Sequence, residues 1–287
     1  MPPLKTRTAY AFLAPFLLIF LAFWVYPILN SFWLSFLNTR VTPWAFAPQS
    51  TWGRLLSDPA FFNALKNTLL ILLIQVPAMI VLATVMATLL NSPSLRAKWF
   101  FRFAFFAPVV VGEVAYSAVF RLMFNYDFGI VNKLLGAVGI DAVSWFSNPN
   151  AALALLIFAI TWRWAGYNAI IIMSGLQSIP EDVYEAATLD RVSKTKQFFH
   201  LTLPLLKPVI LLCLVLSIIG TMQLFAEPFL ITNRGGPGGA TETLGIYLYR
   251  QGFMVLNFGY ASAIAYTIAV IAAAVSLLNM WLGKDPK

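Results

Sequence analysis

Trp164, Tyr167, Asn168 and Ile171 are separated by three and four residues, so a helix would gather two aromatic rings and an amide on one face. Gly220, Gln223 and Glu227 repeat that spacing, and Glu113, Ser117 and Arg121 fall four apart. Rings of this kind pack on the C–H faces of a sugar, while amides and carboxylates take its hydroxyls. Plain packing of a helical bundle also collects aromatic side chains, and both readings stand for Trp164, Tyr167 and Asn168. Gln223 and Glu227 weigh towards a polar cavity, because apolar packing has no use for them. Ionisable groups within long apolar stretches cost about 2.5–3.5 kcal/mol on insertion scales, which marks Glu113, Arg163 and Glu227 as candidates for function. Glu113 and Arg163 have a second reading, as an ion pair that neutralises both charges between helices.

The elements that must position these residues follow from composition. Of 287 residues, 60% are apolar or aromatic and 10% charged, against roughly 45–50% and about 25% in a soluble domain. Six stretches reach the roughly 20 residues needed to cross a hydrocarbon core: Ala9–Phe36, Leu65–Leu90, Phe100–Phe124, Ala151–Leu176, Pro208–Ile231 and Gly259–Leu282. Runs such as Leu69-Leu70-Ile71-Leu72-Leu73-Ile74 do not alternate as a barrel strand must, so the spans are predicted to be helices. The expected fold is an all-α membrane protein with six transmembrane helices, forming a single domain over residues 1–287.

Orientation follows from the cations. One set of ends holds Lys5, Arg7, Arg96, Lys98, Arg102, Arg191, Lys194, Lys196, Lys207, Lys284 and Lys287; the other holds Arg40, Arg54, Lys66, Arg121, Lys133, Arg234 and Arg250. Eleven against seven predicts that both termini and the short connection 91–99 face the cytoplasm. The apolar stretch after Lys5 and Arg7 is too long for a secretory signal and reads as a retained first span. The net charge of +8 is dispersed over connections and makes no basic face for nucleic acid. One cysteine, Cys213, and one histidine, His200, exclude an intrachain disulfide and a His/Cys metal cluster, so no metal site is expected.

The long cytoplasmic connection, residues 177–207, reads as two short helices with a break between them. Ser178-Ile179-Pro180-Glu181 fits a capping box, and Val183, Ala186 and Ala187 then share a small apolar face open to close approach by another backbone. A surface helix of good propensity would look the same. A second helix is predicted from Ser193, ending where Leu203-Pro204 redirects the chain into the fifth span.

Glu185-Ala186-Ala187, followed by Leu201 and Leu203-Pro204, resembles the EAA signature of permease subunits in bacterial binding-protein-dependent ABC importers. The resemblance extends to Leu176–Pro180, to Thr232 through Pro237 and to Gly259–Ala263, and is closest to the carbohydrate-uptake branch. It implies a multi-pass protein of the bacterial inner membrane that pairs with a second permease subunit. It also implies a cytoplasmic ATPase dimer and an external substrate-binding protein as partners. The loop 177–207 would seat in a cleft of the ATPase through Glu185, Ala186, Ala187, Asp190, Arg191, Leu201, Leu203 and Pro204. Arg191 stands where the family has glycine, so the turn there is built another way, with Asp190 at the break, or the docking geometry differs.

The chain has no G-x-x-x-x-G-K-[ST] loop, and Gly235–Gly239 lacks its lysine. No cofactor is therefore expected in this chain; ATP and Mg would be bound by the partner ATPase. The reading is a non-enzymatic subunit that forms, with its partner, the passage for a sugar or polyol. An ion-coupled secondary transporter with Glu113 and Glu227 as proton carriers is the alternative. An intramembrane enzyme would need a nucleophile with its base or a metal centre, and H-E-x-x-H is missing.

Overall fold

The structure, a computed structural model, describes residues 6–92 and 94–283; Lys5, Lys284 and Lys287 lie outside them. In chain order the helices are α1 (Thr6–Phe20), α2 (Tyr26–Leu34), α3 (Trp52–Leu55), α4 (Pro59–Asn91), α5 (Lys98–Val110), α6 (Glu113–Met123) and α7 (Ile130–Ala137). They continue as α8 (Pro149–Gln177), α9 (Glu181–Leu189), α10 (Lys194–Gln197), α11 (Leu203–Met222), α12 (Ala226–Leu230), α13 (Leu244–Tyr249) and α14 (Phe258–Leu282). The two-residue strands β1 (Leu37–Asn38) and β2 (Ala45–Phe46) pair antiparallel, with Leu37 opposite Phe46.

Among the described residues, five helical segments are long and apolar enough to cross a membrane, and six if the bent pair α5 and α6 counts as one. Helix is the form that satisfies every backbone group within its own segment in lipid. The expected spans are present with shifted ends, and two are broken. The third, expected over Phe100–Phe124, is cut by two extended residues, Val111 and Gly112, and its halves meet at 99°. Pro108 denies Ala104 its amide donor, and Gly112 has little helical preference. The fifth, expected over Pro208–Ile231, breaks at Gln223–Phe225, between α11 and α12.

Prolines also explain two π-helical turns. Leu21–Val25 precedes Pro27 and Phe198–Thr202 precedes Pro204, and in each the amide that follows reaches back five residues. Helical structure thus passes through Leu203-Pro204, and α10 runs on into α11 without interruption from Lys194 to Met222. The expected redirection at that dipeptide does not occur, because the wider turn absorbs the missing donor.

The chain divides into two compact units, Met1–Pro59 with Leu248–Ala269, and Ala60–Tyr247 with Val270–Lys287. In the first, Gly259 lies against the Leu37 carbonyl where a Cβ could not fit, and its amide donates to Thr39 Oγ1 at 3.0 Å. Buried Tyr260 donates to Asp58 at 2.8 Å, while Arg54 pairs with Asp58 and stacks over the Tyr260 ring.

The second unit is organised around α8, which packs on α5 and α11. Its start is fixed by Asn148, whose side chain accepts from the amides of Asn150 and Ala151, with Pro149 in the first turn. Gly166 lets α8 approach the Phe105 carbonyl of α5, and Gly175 faces Val209 and Leu206 of α11. Ile71, Leu156, Ile160 and Leu224 make one apolar cluster; Tyr116, Phe120, Phe124, Leu155, Ala159 and Ile231 make another.

Candidate functional site

A cavity of about 500 Å³ opens between α4, α8 and the broken fifth span, all within the second unit. Trp164, Tyr167, Asn168, Gln223 and Glu227 all line it, and Glu113 joins them from the first turn of α6. Gln223 and Glu227 do not share one continuous helix face as their spacing predicts. The break between α11 and α12 separates them, and both still reach the cavity.

The walls are held by hydrogen bonds that cross between helices. Asn168 Nδ2 donates to the Trp164 carbonyl at 3.0 Å and approaches the Met79 sulfur at 3.6 Å. Gln75 Nε2 donates to the same sulfur at 3.2 Å, and Thr221 Oγ1 donates to Gln75 Oε1 at 3.4 Å. Three helices are thereby tied together through one thioether and one amide. Glu227 is 5% exposed and lines the cavity together with Trp164.

Gln75, Ser217 and Thr221 were not singled out by sequence reasoning. A signal existed for Gln75, an amide in the middle of the second apolar stretch that falls under the same cost argument as Gln223.

Arg163 does not line the cavity, and no ion pair of 4.0 Å or less joins it to Glu113 among the described residues. The expected pair is corrected for a geometric reason. Arg163 lies one residue before Trp164, about 100° round the helix. Its guanidinium sits 4.9 Å from the Tyr116 ring centre and 5.9 Å from that of Trp164, at 5% exposure. Aromatic faces partner this charge in place of a carboxylate, and Nε and one Nη have no hydrogen-bond partner. Meanwhile the break after Val110 places Glu113 at a helix start, where a carboxylate complements the dipole.

On α9 a second hollow of about 430 Å³ is lined by Val183, Ala186, Ala187, Asp190 and Leu201, among others. Glu185 is exposed on α9, and Leu203 and Pro204 lie in the first turn of α11. Ala186 is exposed but Ala187 is 7% exposed, so the two alanines do not form one open face. Tyr184 ties α9 to the π-helical turn before α11, its hydroxyl 3.0 Å from that of Thr202.

The predicted capping box is not formed. Helix α8 runs to Gln177, and Ser178 closes it by donating to the Gly175 carbonyl at 2.7 Å; Pro180 then takes the capping position of α9. A serine already used at one helix end is not available to the next.

Arg191 is the turn residue itself. Its φ is +55°, its amide donates to the Thr188 carbonyl at 3.0 Å, and the Val192 amide donates to that of Ala187 at 3.0 Å. These two bonds define a Schellman cap, built here without glycine. The left-handed state costs a non-glycine residue about 1–2 kcal/mol, partly offset by the backbone entropy that glycine loses. Arg191→Gly is accordingly expected to steady the end of α9 by about 1 kcal/mol. Hydrogen exchange at the Val192 amide should slow about fivefold; equal or faster exchange would count against a strained cap.

Comparison with known proteins places the chain in a family. Residues 6–285 match the family described as binding-protein-dependent transport system inner membrane component. The lactose transport system permease protein of Rhizobium radiobacter is 41% identical over 280 residues, covering 96% of this chain and 94% of the relative. The arabinooligosaccharides transport system permease protein of Bacillus subtilis is 34% identical, covering 99% and 90%. A chain from a bacterial ABC transporter involved in the import of the acidic polysaccharide alginate has the same fold, with a TM-score of 0.84 at 22% identity over 96% of this chain and 95% of that one. That transporter has also been solved in complex with an alginate pentasaccharide-bound periplasmic protein.

Proposed function

Because the chain belongs to the inner membrane components of binding-protein-dependent transport systems, we propose that its cavity is this subunit's share of the passage through which a sugar or polyol is imported. The subunit is a sugar ABC importer permease, a multi-pass membrane protein for which ATP is hydrolysed by a partner. Family membership sets aside the ion-coupled alternative.

One observation carries the reading: residues chosen by chemistry alone, Trp164, Tyr167, Asn168, Gln223 and Glu227, line one cavity of about 500 Å³. That volume falls within the usual range for small-ligand sites, roughly 300–1,000 Å³. Aromatic faces from α8 supply stacking, and amide, hydroxyl and carboxylate groups from α4, α8, α11 and α12 supply partners for hydroxyls. A second permease subunit would complete the wall, and an external binding protein would deliver the sugar from the side of the loops 37–64, 125–150 and 232–258. On the cytoplasmic side, α9 and the hollow beside it would seat in the ATPase dimer through Glu185, Ala186, Ala187, Asp190, Arg191, Leu201, Leu203 and Pro204. The continuity of α10 with α11 supports this role, since a push on α9 and α10 would reach the break beside Gln223 along one helix. No cofactor is proposed for this chain itself, with ATP and Mg held by the ATPase.

Reconstitution of the chain with its partner permease, ATPase and binding protein in vesicles tests the reading. Lactose, maltose, arabino-oligosaccharides, uronate oligosaccharides and amino acids are compared as stimulants of ATP hydrolysis. A carbohydrate is expected to stimulate. Stimulation by an amino acid alone would overturn the assignment, and uptake that ignores ATP but collapses with the proton gradient would restore the ion-coupled mechanism.

A further inference from the structure

Pro228 stands four residues after Leu224, so the amide that would close a helical hydrogen bond on the Leu224 carbonyl does not exist, and the proline ring crowds that oxygen. The chain leaves the helix there, with Gln223 at φ −98°, ψ 9° and Phe225 at φ −133°, ψ −53°. Leu224 is buried in the protein, where a carbonyl without a donor is costly.

A donor arrives from nineteen residues downstream. The buried Thr243 hydroxyl donates to the Leu224 carbonyl at 2.6 Å. Gly245 makes the approach feasible, since a Cβ there would lie 2.5 Å from the same oxygen. The segment bearing Thr243 is itself anchored to α4: the Leu244 amide donates to Thr68 Oγ1 at 2.9 Å, and Asn67 Nδ2 reaches the carbonyls of Gly239 at 2.8 Å and Glu242 at 3.1 Å. Within the loop that leads from α12 to Thr243 the Thr232 and Thr241 hydroxyls are 2.6 Å apart. A strut thus runs from the second span through Thr243 to the gap in the fifth, and Gln223 and Glu227 flank that gap.

We propose that Thr243 is a positioning residue for transport: it supplies the hydrogen bond that Pro228 denies Leu224, and so holds the fifth span broken with Gln223 and Glu227 turned into the cavity. The inference rests on the reading of that cavity as the sugar passage. Thr243 touches no substrate in this role; it acts through the backbone of Leu224.

The test uses the intact importer in vesicles, with Cys213→Ser and Gln223→Cys in this chain and a membrane-impermeant maleimide as probe. Adding Thr243→Val is expected to slow labelling at position 223 about tenfold, whereas Thr243→Ser, which keeps the hydroxyl, stays within about twofold. If Thr243→Val fails to assemble, the double variant Thr243→Val/Pro228→Ala, which gives Leu224 an amide donor of its own, is expected to assemble and to label slowly. Labelling of Thr243→Val within twofold of the parent overturns the proposal. So does a double variant that fails to assemble or that labels at the parental rate. Since no sugar is present, a negative result here leaves the cavity assignment to the sugar screen, and the two failures are told apart.

Discussion

Glu227→Gln is expected to lower sugar uptake about tenfold while leaving the importer assembled. The carboxylate is nearly buried and faces the cavity, and glutamine keeps its shape and an acceptor oxygen. What is lost is charge. A hydrogen bond to an ionised group contributes about 1.5–3 kcal/mol against about 0.5–1.5 for a neutral one, and the difference of roughly 1–1.5 kcal/mol corresponds to about 5- to 13-fold. Uptake of labelled sugar at subsaturating concentration reads the effect directly. Glu113→Gln, at an exposed position on the same cavity, should fall by less than about threefold. Equal losses in both variants would mean that Glu227 has no special place among the cavity's carboxylates.

Gly166→Ala should be more damaging than its size suggests. A single methyl at this position would overlap the Phe105 carbonyl, and a backbone group within a helix cannot swing aside as a side-chain tip can. Helices α5 and α8 would have to separate, at a cost of about 3 kcal/mol, near the upper end of overpacking effects. The amount of assembled complex recovered from membranes is expected to drop more than tenfold. Gly136→Ala makes the matched control, because nothing lies within 4 Å of the Cβ it would add; it should be recovered at the parental level. Recovery of both variants in equal amount would remove the close crossing as an explanation for the glycine.

Much of the architecture is readable from local chemistry. Uninterrupted apolar stretches locate the spans, and the cost of burying amides and carboxylates leads to Asn168, Gln223 and Glu227 before any contact is known. Pro228 four residues after Leu224, and Pro108 ahead of Gly112, already carry the physical reason for each broken span. What spacing does not carry is where the freed groups find partners. Thr243 satisfies a carbonyl nineteen residues earlier, and nothing in its neighbours announces it. Arg163 illustrates the same point with charge: Glu113 is an available counter-ion by composition, but a bend of 99° between the helices decides that aromatic faces take the cation. Ser178 and Arg191 were misjudged for local reasons. The serine is claimed by the helix before it, and the arginine accepts a conformation that its side chain disfavours because two backbone hydrogen bonds repay it.

The bend at Val111 and Gly112 also governs the parity of the chain. Helix α6, at about 16 Å, is too short to traverse a hydrocarbon layer of about 30 Å by itself, and α5 is only slightly longer. If the two pieces together make one passage, the count is even, and the chain ends in the compartment where it began. If they turned back to the same leaflet, every later segment would change sides, and the stretch bearing Arg191, Lys194, Lys196 and Lys207 would be carried across the bilayer with its charges. The cations of a downstream loop therefore bear on the shape of an upstream hinge: the energetic penalty for exporting them would favour a through course for the two half-length rods.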